Sequence, residues 1–252
     1  MPGPRVALFV TCLVDMFRPS VGFASVKLLE DAGCVVEVPD AQTCCGQPAW
    51  NSGDRETAKA LARQVIAAFE GYDYVVAPSG SCGATIAKDY AVMFDASDPW
   101  AERARALGAR THEITSFLTD VLGVGSVDQA APVVATYHDS CSGLRSLKVR
   151  EQPRRLLASV EGLELREMVE SDVCCGFGGT FCVKYPEISN VMVADKTRHA
   201  AETGADLLLA GDLGCLMNMA GKASREGRAF RARHVVEVLA GDLETPAIGE
   251  TK

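Results

Sequence analysis

The chain has 252 residues, 48 % hydrophobic and 23 % charged, a balance typical of globular proteins and unlike disordered or fibrous ones. Its formal net charge of −8 lacks the basic excess that marks nucleic-acid binders, so no nucleic-acid partner is expected. Ten cysteines are too sparse for a disulfide-stapled secreted domain and too many for core filling alone, so they need a chemical explanation.

In chain order, the apolar run Val6–Val10 predicts a first strand that ends just before Cys12. This run is too short for the apolar core of a signal peptide, and Asp15 follows closely, so a cytoplasmic protein with reduced thiols is expected. No segment approaches the roughly 18 to 20 apolar residues that span a bilayer. Val35–Val38 reads as a second strand, and Cys34, at the end of a helical stretch, reads as core packing. Cys44, Cys45 and Gly46 follow that strand. Ala58, Leu61, Ala62, Val65, Ile66 and Phe69 share one face of a helix that starts at Asp54 as N-cap and stops at Gly71. Tyr74–Ala77 predicts a third strand, with Cys82 just beyond it. Residues 123–132 hold two glycines and a proline and read as the junction between two domains, 1–125 and 130–245. In the second domain Val133–Tyr137, Leu163–Met168 and Leu207–Leu209 predict strands, followed by Cys141, by Cys174, Cys175 and Gly176, and by Cys215.

The two series repeat. Cys12 is separated by 31 residues from Cys44, and Cys45 by 36 from Cys82; Cys141 is separated by 32 from Cys174, and Cys175 by 39 from Cys215. Gly71–Ala77 ahead of Cys82 matches Gly204–Ala210 ahead of Cys215. Strands alternating with helices imply an α/β fold of two pseudo-symmetric repeats, each with a mainly parallel sheet flanked by helices. The carboxyl ends of parallel strands share one rim, where ligands bind, so each repeat gathers four cysteines there. Contiguous cysteines rarely bridge each other, and both can hardly reach one tetrahedral zinc ion. They can serve different irons of a cluster, and the glycine after each pair leaves room for backbone beside a bulky group. Iron–sulfur ligation by Cys12, Cys44, Cys45, Cys82, Cys141, Cys174, Cys175 and Cys215 uses all of these features.

The pattern resembles the cysteine-rich CCG-domain family of heterodisulfide reductase B subunits, the glycolate oxidase iron–sulfur subunit and lactate-utilization proteins. The residues that carry the resemblance are Gln42–Pro48, Asn51–Gly53, Pro78–Cys82, His138–Cys141, Cys174–Thr180 and Asp212–Asn218, and it runs from about Arg5 to Leu239. These local motifs are most similar to the lactate-utilization branch. The resemblance implies two iron–sulfur clusters, [4Fe–4S] or non-cubane. It also implies an electron-transfer role in an L-lactate dehydrogenase system that yields pyruvate, with partner proteins that include a ferredoxin-like one. Heterodisulfide reductases carry a fifth cysteine in the last motif; here Ser79 and Asp212 stand in its place, which weakens the case for disulfide-reducing chemistry. The same pattern would also suit a glycolate oxidase subunit, or a structural metal protein that only binds partners.

Further candidates flank the ligands. His138 and Asp139 either orient a substrate, tune the second cluster by hydrogen bonding to sulfur, or only cap the helix that follows. Cys182, aligned with Ser52, is a candidate for lining the second site. His112, His199 and His234 stand alone at helix-like positions and read as surface or satisfied core residues. Lys148, Arg150, Arg154 and Arg155 read as a solvated helix face by default, with docking of an acidic partner as the alternative.

Overall fold

A computed structural model describes residues 3–250 of the chain. Two four-stranded sheets form, every pairing within them parallel. The first holds β1 (Arg5–Leu8), β2 (Val35–Glu37), β3 (Tyr74–Ala77) and β4 (Thr111–Glu113) in the order β2-β1-β3-β4. The second holds β5 (Ala130–His138), β6 (Glu161–Leu165), β7 (Leu207–Ala210) and β8 (Arg231–His234) in the order β6-β5-β7-β8. Val6–Leu8 and Leu207–Ala210 are apolar without alternation because central strands are covered on both faces by the crossover helices that parallel pairing demands.

The register of the two sheets corresponds. Leu8 pairs with Val76 in the first and Tyr137 with Leu209 in the second, so the residues that follow, Phe9 and His138, occupy equivalent places. The helix Arg55–Phe69 starts where the Asp54 carboxylate accepts the Thr57 N–H at 3.1 Å. Its buried residues Ala58, Ala62, Val65, Ile66 and Phe69 match in spacing Ser189, Val193, Lys196, Thr197 and Ala200 of the helix Pro186–Glu202.

β4 and β8 have no counterpart among the expected strands. They are short edge strands, Thr-His-Glu and Arg-Ala-Arg-His, without the apolar run that marks their central neighbours. His112 and His234 therefore lie on strands, not at helix-like positions. β5 begins at Ala130, inside the expected junction, and its register shifts between Ala130 and Val133, where Pro132 has no N–H to offer the ladder. β6 lies at Glu161–Leu165, earlier than the expected Leu163–Met168, and alternates as an edge strand does.

One hydrophobic core runs through both repeats, joining Val6, Leu8 and Val14 to Tyr137, Leu209 and Val235, with Cys34 buried in it. The exchange is reciprocal. The helix Val235–Leu239 after β8 packs on Pro19–Asp31 of the first repeat, and Ile114–Ser116 after β4 packs on Glu151–Leu157 of the second. Between them the helices Gly80–Ala84 and Cys141–Leu147 approach so closely that a Cβ on Gly80 would lie 2.8 Å from the Gly143 Cα. Glycine is required at Gly80 because the backbones of the two repeats touch there.

Candidate metal centre

All ten cysteines are free thiols. Cys12 opens the helix Cys12–Phe17 directly beyond β1, with Thr11 as its cap, and Cys141 opens Cys141–Leu147 beyond β5, with Ser140 as its cap. Cys82 and Cys215 lie in the first turn of the helices that follow β3 and β7. The paired cysteines occupy loops beyond β2 and β6, each turned by a glycine in the left-handed region, Gly46 at φ +83° and Gly176 at φ +82°. At Gly176 a Cβ would also lie 2.9 Å from the Ser189 carbonyl oxygen.

In the first repeat the thiols meet in two pairs, Cys12 Sγ 4.0 Å from Cys44 Sγ and Cys45 Sγ 3.4 Å from Cys82 Sγ. In the second repeat the Cys175 and Cys215 sulfurs lie within 4.8 Å of each other, and Cys141 neighbours Cys174. Glycine N–H groups donate to the leading sulfurs, Gly46 to Cys44 at 3.5 Å and Gly176 to Cys174 at 3.4 Å. The second cysteine of each pair is fixed through its carbonyl, which accepts from Tyr90 Oη at 2.9 Å for Cys45 and from Asn218 Nδ2 at 2.9 Å for Cys175.

Proton sharing polarises these sets. Hydrogen bonds from Cys12, Cys45 and the Gly46 N–H pull the Cys44 thiol down to about 2, against burial. Cys12 is driven up by donating to Cys44 and by burial, and Cys45 by its bonds with Cys44 and Cys82 and by burial. Cys215 feels the Cys175 bond, which lowers it, and burial with the Asp212 charge, which together leave it at about 11. Thiols gathered this closely form a donor set that releases protons as a cation binds.

The four thiols of the first repeat line a cavity of about 150 Å³, roughly five times the share of one water in the liquid. Its opposite wall comes from the second repeat, through Phe177, Gly179, Asp212, Leu213 and Gly214. Nothing in the cysteine spacing announces this wall. A Cβ on Gly214 would lie 2.4 Å from the Phe177 ring, so that glycine lets the ring lie against the helix start.

The flanking candidates have distinct fates. Ser79 caps its own helix by accepting the Cys82 N–H at 3.1 Å, and its Oγ meets Asp212 Oδ2 at 3.1 Å. Asp212 also accepts the Ser81 N–H at 2.9 Å, so it ties the repeats together and leaves its own helix without a side-chain cap. Asp139 neither caps a helix nor faces a cysteine. Its carboxylate accepts both terminal nitrogens of Arg154 at 2.9 Å, and Ser171 Oγ at 3.2 Å. Arg154 therefore departs from the expected solvated face: it also pairs with Glu167 and lies over the Tyr137 ring. His234 is a satisfied core residue that caps its helix and reaches the Pro78 carbonyl at 3.1 Å. Cys182 lies on the short helix Phe181–Lys184, outside the pocket that borders Cys174.

His138 is brought to the second thiol set. One ring nitrogen and the sulfurs of Cys175 and Cys215 all lie within 4.8 Å of one another, and all three residues are buried. Lys196, 2 % exposed, adds a cation near Cys175 and Cys174, and its Nζ donates to the Glu170 carbonyl. The matched spacing of the two long helices puts Val65 in its place in the first repeat.

Glu113 is a further buried group that sequence patterns do not reveal. Its Oε2 accepts from the Thr115 N–H at 2.8 Å, Thr115 Oγ1 at 2.6 Å and the Ser116 N–H at 3.1 Å, yet burial pushes its carboxyl up to about 7. A carboxyl raised from 4.5 binds its proton more tightly in the folded chain. Its contribution to stability is full below the unfolded value and falls as the pH rises through that window. Glu113→Gln should flatten the loss of stability between about pH 4.5 and pH 7, read as urea midpoints across that range. An unchanged pH slope would show that Glu113 is not the group responsible.

Known proteins share these features. The family model described as "Cysteine-rich domain" (CCG) matches residues 6–87 and 135–220. The chain is 49 % identical over 235 residues to lactate utilization protein A of Geobacillus thermodenitrificans (strain NG80-2), covering 93 % of this chain and 98 % of that one. It is 48 % identical, with the same coverage, to lactate utilization protein A 1 of Bacillus cereus (strain AH820). Among solved structures, a hypothetical protein from Helicobacter pylori shares the fold with a TM-score of 0.69 at 10 % identity; the match takes in all of this chain and 53 % of that one.

Proposed function

The chain belongs to the cysteine-rich CCG-domain family, and on that premise we propose that it is an iron–sulfur electron-transfer component of a system that oxidises L-lactate to pyruvate and supports growth on lactate. The observation that carries this reading is the duplicated thiol set, four cysteines per repeat drawn to one rim around a glycine-turned pair. The lactate assignment is supported by likeness, over nearly the whole length, to proteins named for lactate utilization.

The donor chemistry fits four-iron clusters. The first repeat, residues 1–125, holds one through Cys12, Cys44, Cys45 and Cys82, and the second, residues 130–245, holds one through Cys141, Cys174, Cys175 and Cys215. Such a cluster supplies one-electron chemistry when bound. The chain's own residues fix its surroundings: Gly46 and Gly176 donate N–H bonds to Cys44 and Cys174, and Phe177 and Leu213 line the first site opposite its thiols. Partners are other lactate-utilization proteins, including a ferredoxin-like iron–sulfur protein, and the setting is the cytoplasm. No helix among the described residues is long and apolar enough to cross a membrane.

Anaerobic reconstitution tests the reading. We expect a brown protein bleached by dithionite, with about eight irons and as many sulfides per chain. A colourless protein that takes up stoichiometric zinc would instead mean a structural metal site.

A further inference from the structure

We propose that His138 is a fifth protein ligand of the second centre, beside its four cysteines, so that the two centres differ in kind: a cubane with one thiolate per iron in the first repeat, a non-cubane four-iron cluster with sulfur and nitrogen ligands in the second. The inference rests on the reading that the thiols hold iron–sulfur clusters.

His138 is fully buried, and neither ring nitrogen has a hydrogen-bond partner among the described residues. Burying an imidazole with both nitrogens unpaired costs several hydrogen bonds' worth of desolvation, and natural cores avoid it. The ring does not lie among apolar neighbours alone. One of its nitrogens converges with Cys175 Sγ and Cys215 Sγ, the three atoms within 4.8 Å of one another, a spacing at which they can serve one metal centre. A backbone carbonyl is the usual acceptor for the N–H of a histidine whose other nitrogen is bound to metal, and it fixes the tautomer. The Ser171 carbonyl, which accepts the Asp139 N–H at 3.1 Å, belongs to the ring's surroundings.

The first repeat supplies the internal control. Phe9 occupies the place of His138 at the strand end and packs against Phe69 with ring centroids 5.5 Å apart. The fold at this place therefore accepts an apolar ring and does not itself require histidine. Nearby, Val65 of the first repeat is likewise replaced by the buried Lys196 in the second. The polar exchange is confined to the surroundings of one thiol set.

The test is pulsed EPR on the reconstituted full chain, with histidine at natural abundance and with ¹⁵N-histidine. Strong nitrogen coupling on one of two cluster signals, converted to the ¹⁵N pattern by the label, is expected. His138→Phe, the residue that the first repeat already carries, should remove that coupling and shift the midpoint potential of one cluster while the other keeps its signal and potential. Two clusters with only weak nitrogen coupling, or with strong coupling that persists in His138→Phe, would overturn the ligand assignment and leave the iron–sulfur reading intact. If His138→Phe does not fold, the labelled natural chain alone decides. A reconstituted chain that holds no iron would overturn the proposed function, and this inference with it.

Discussion

Cys175→Ala should leave the chain with a single centre, iron falling from about eight to about four per chain with a matching loss of sulfide. Cys175 is 1 % exposed, its sulfur lies within 4.8 Å of the Cys215 sulfur, and its carbonyl is held by Asn218. Burial of this kind keeps solvent from supplying a ligand in place of the thiol. The first centre keeps all four of its thiols, so half of the dithionite-bleachable absorbance should survive, while growth on lactate is lost. Cys34→Ala is the matched control. Cys34 is also a buried thiol, but it lies in the shared apolar core away from both sites, and its removal should cost packing stability and no iron. Full iron retention in Cys175→Ala, or iron loss in Cys34→Ala, would refute the assignment of the sites.

Glu237→Ala should destabilise the whole molecule by about 3–5 kcal/mol, lowering Tm by on the order of 10 °C. Glu237 is completely buried and accepts Arg18 Nε at 2.8 Å, an Arg18 terminal nitrogen at 3.1 Å, Ser20 Oγ at 2.7 Å and the His234 N–H at 3.0 Å. Truncating it strands the Arg18 guanidinium in the interior, where an uncompensated charge costs more than the pair ever contributed. It also removes half of a capping box at the start of Val235–Leu239, the helix that locks onto the first repeat. The Arg18→Met, Glu237→Met double variant should recover much of the loss in calorimetry, because apolar side chains of similar length leave no charge behind. A Glu237→Ala chain that melts within 2 °C of the natural one, roughly half a kcal/mol, would show that the pair does not hold the repeats together.

The sequence made the repeat, the central strands and the rim of cysteines legible because each rests on a local pattern: an apolar run, a helical stripe, a fixed spacing. Asp54 caps its helix as short-range chemistry dictates, while the helix ends at Phe69 with Glu70 as its C-cap, two residues short of Gly71. What escaped depends on residues distant in the chain. β4 and β8 are held by one neighbour each and bury polar residues, Glu113 and Arg233, where an apolar side chain would be expected, so no hydrophobic period reveals them. The Asp139–Arg154 pair shows the same limit, since a basic residue on a helix cannot be distinguished from a solvated one until its acceptor is known. His138 was visible as a residue next to a ligand. The comparison that isolates it, with Phe9 at the same place in the other repeat, needed the strand registers.

The wall that the second repeat lends to the first site bears on biogenesis. All four thiols of the first set are synthesised by residue 82, but Phe177, Gly179, Leu213 and Gly214, which line the facing side of the cavity, emerge from the ribosome more than ninety residues later. A nascent chain thus carries all four thiols well before the wall that faces them is made. The lining of the first site is complete only once the second repeat has docked.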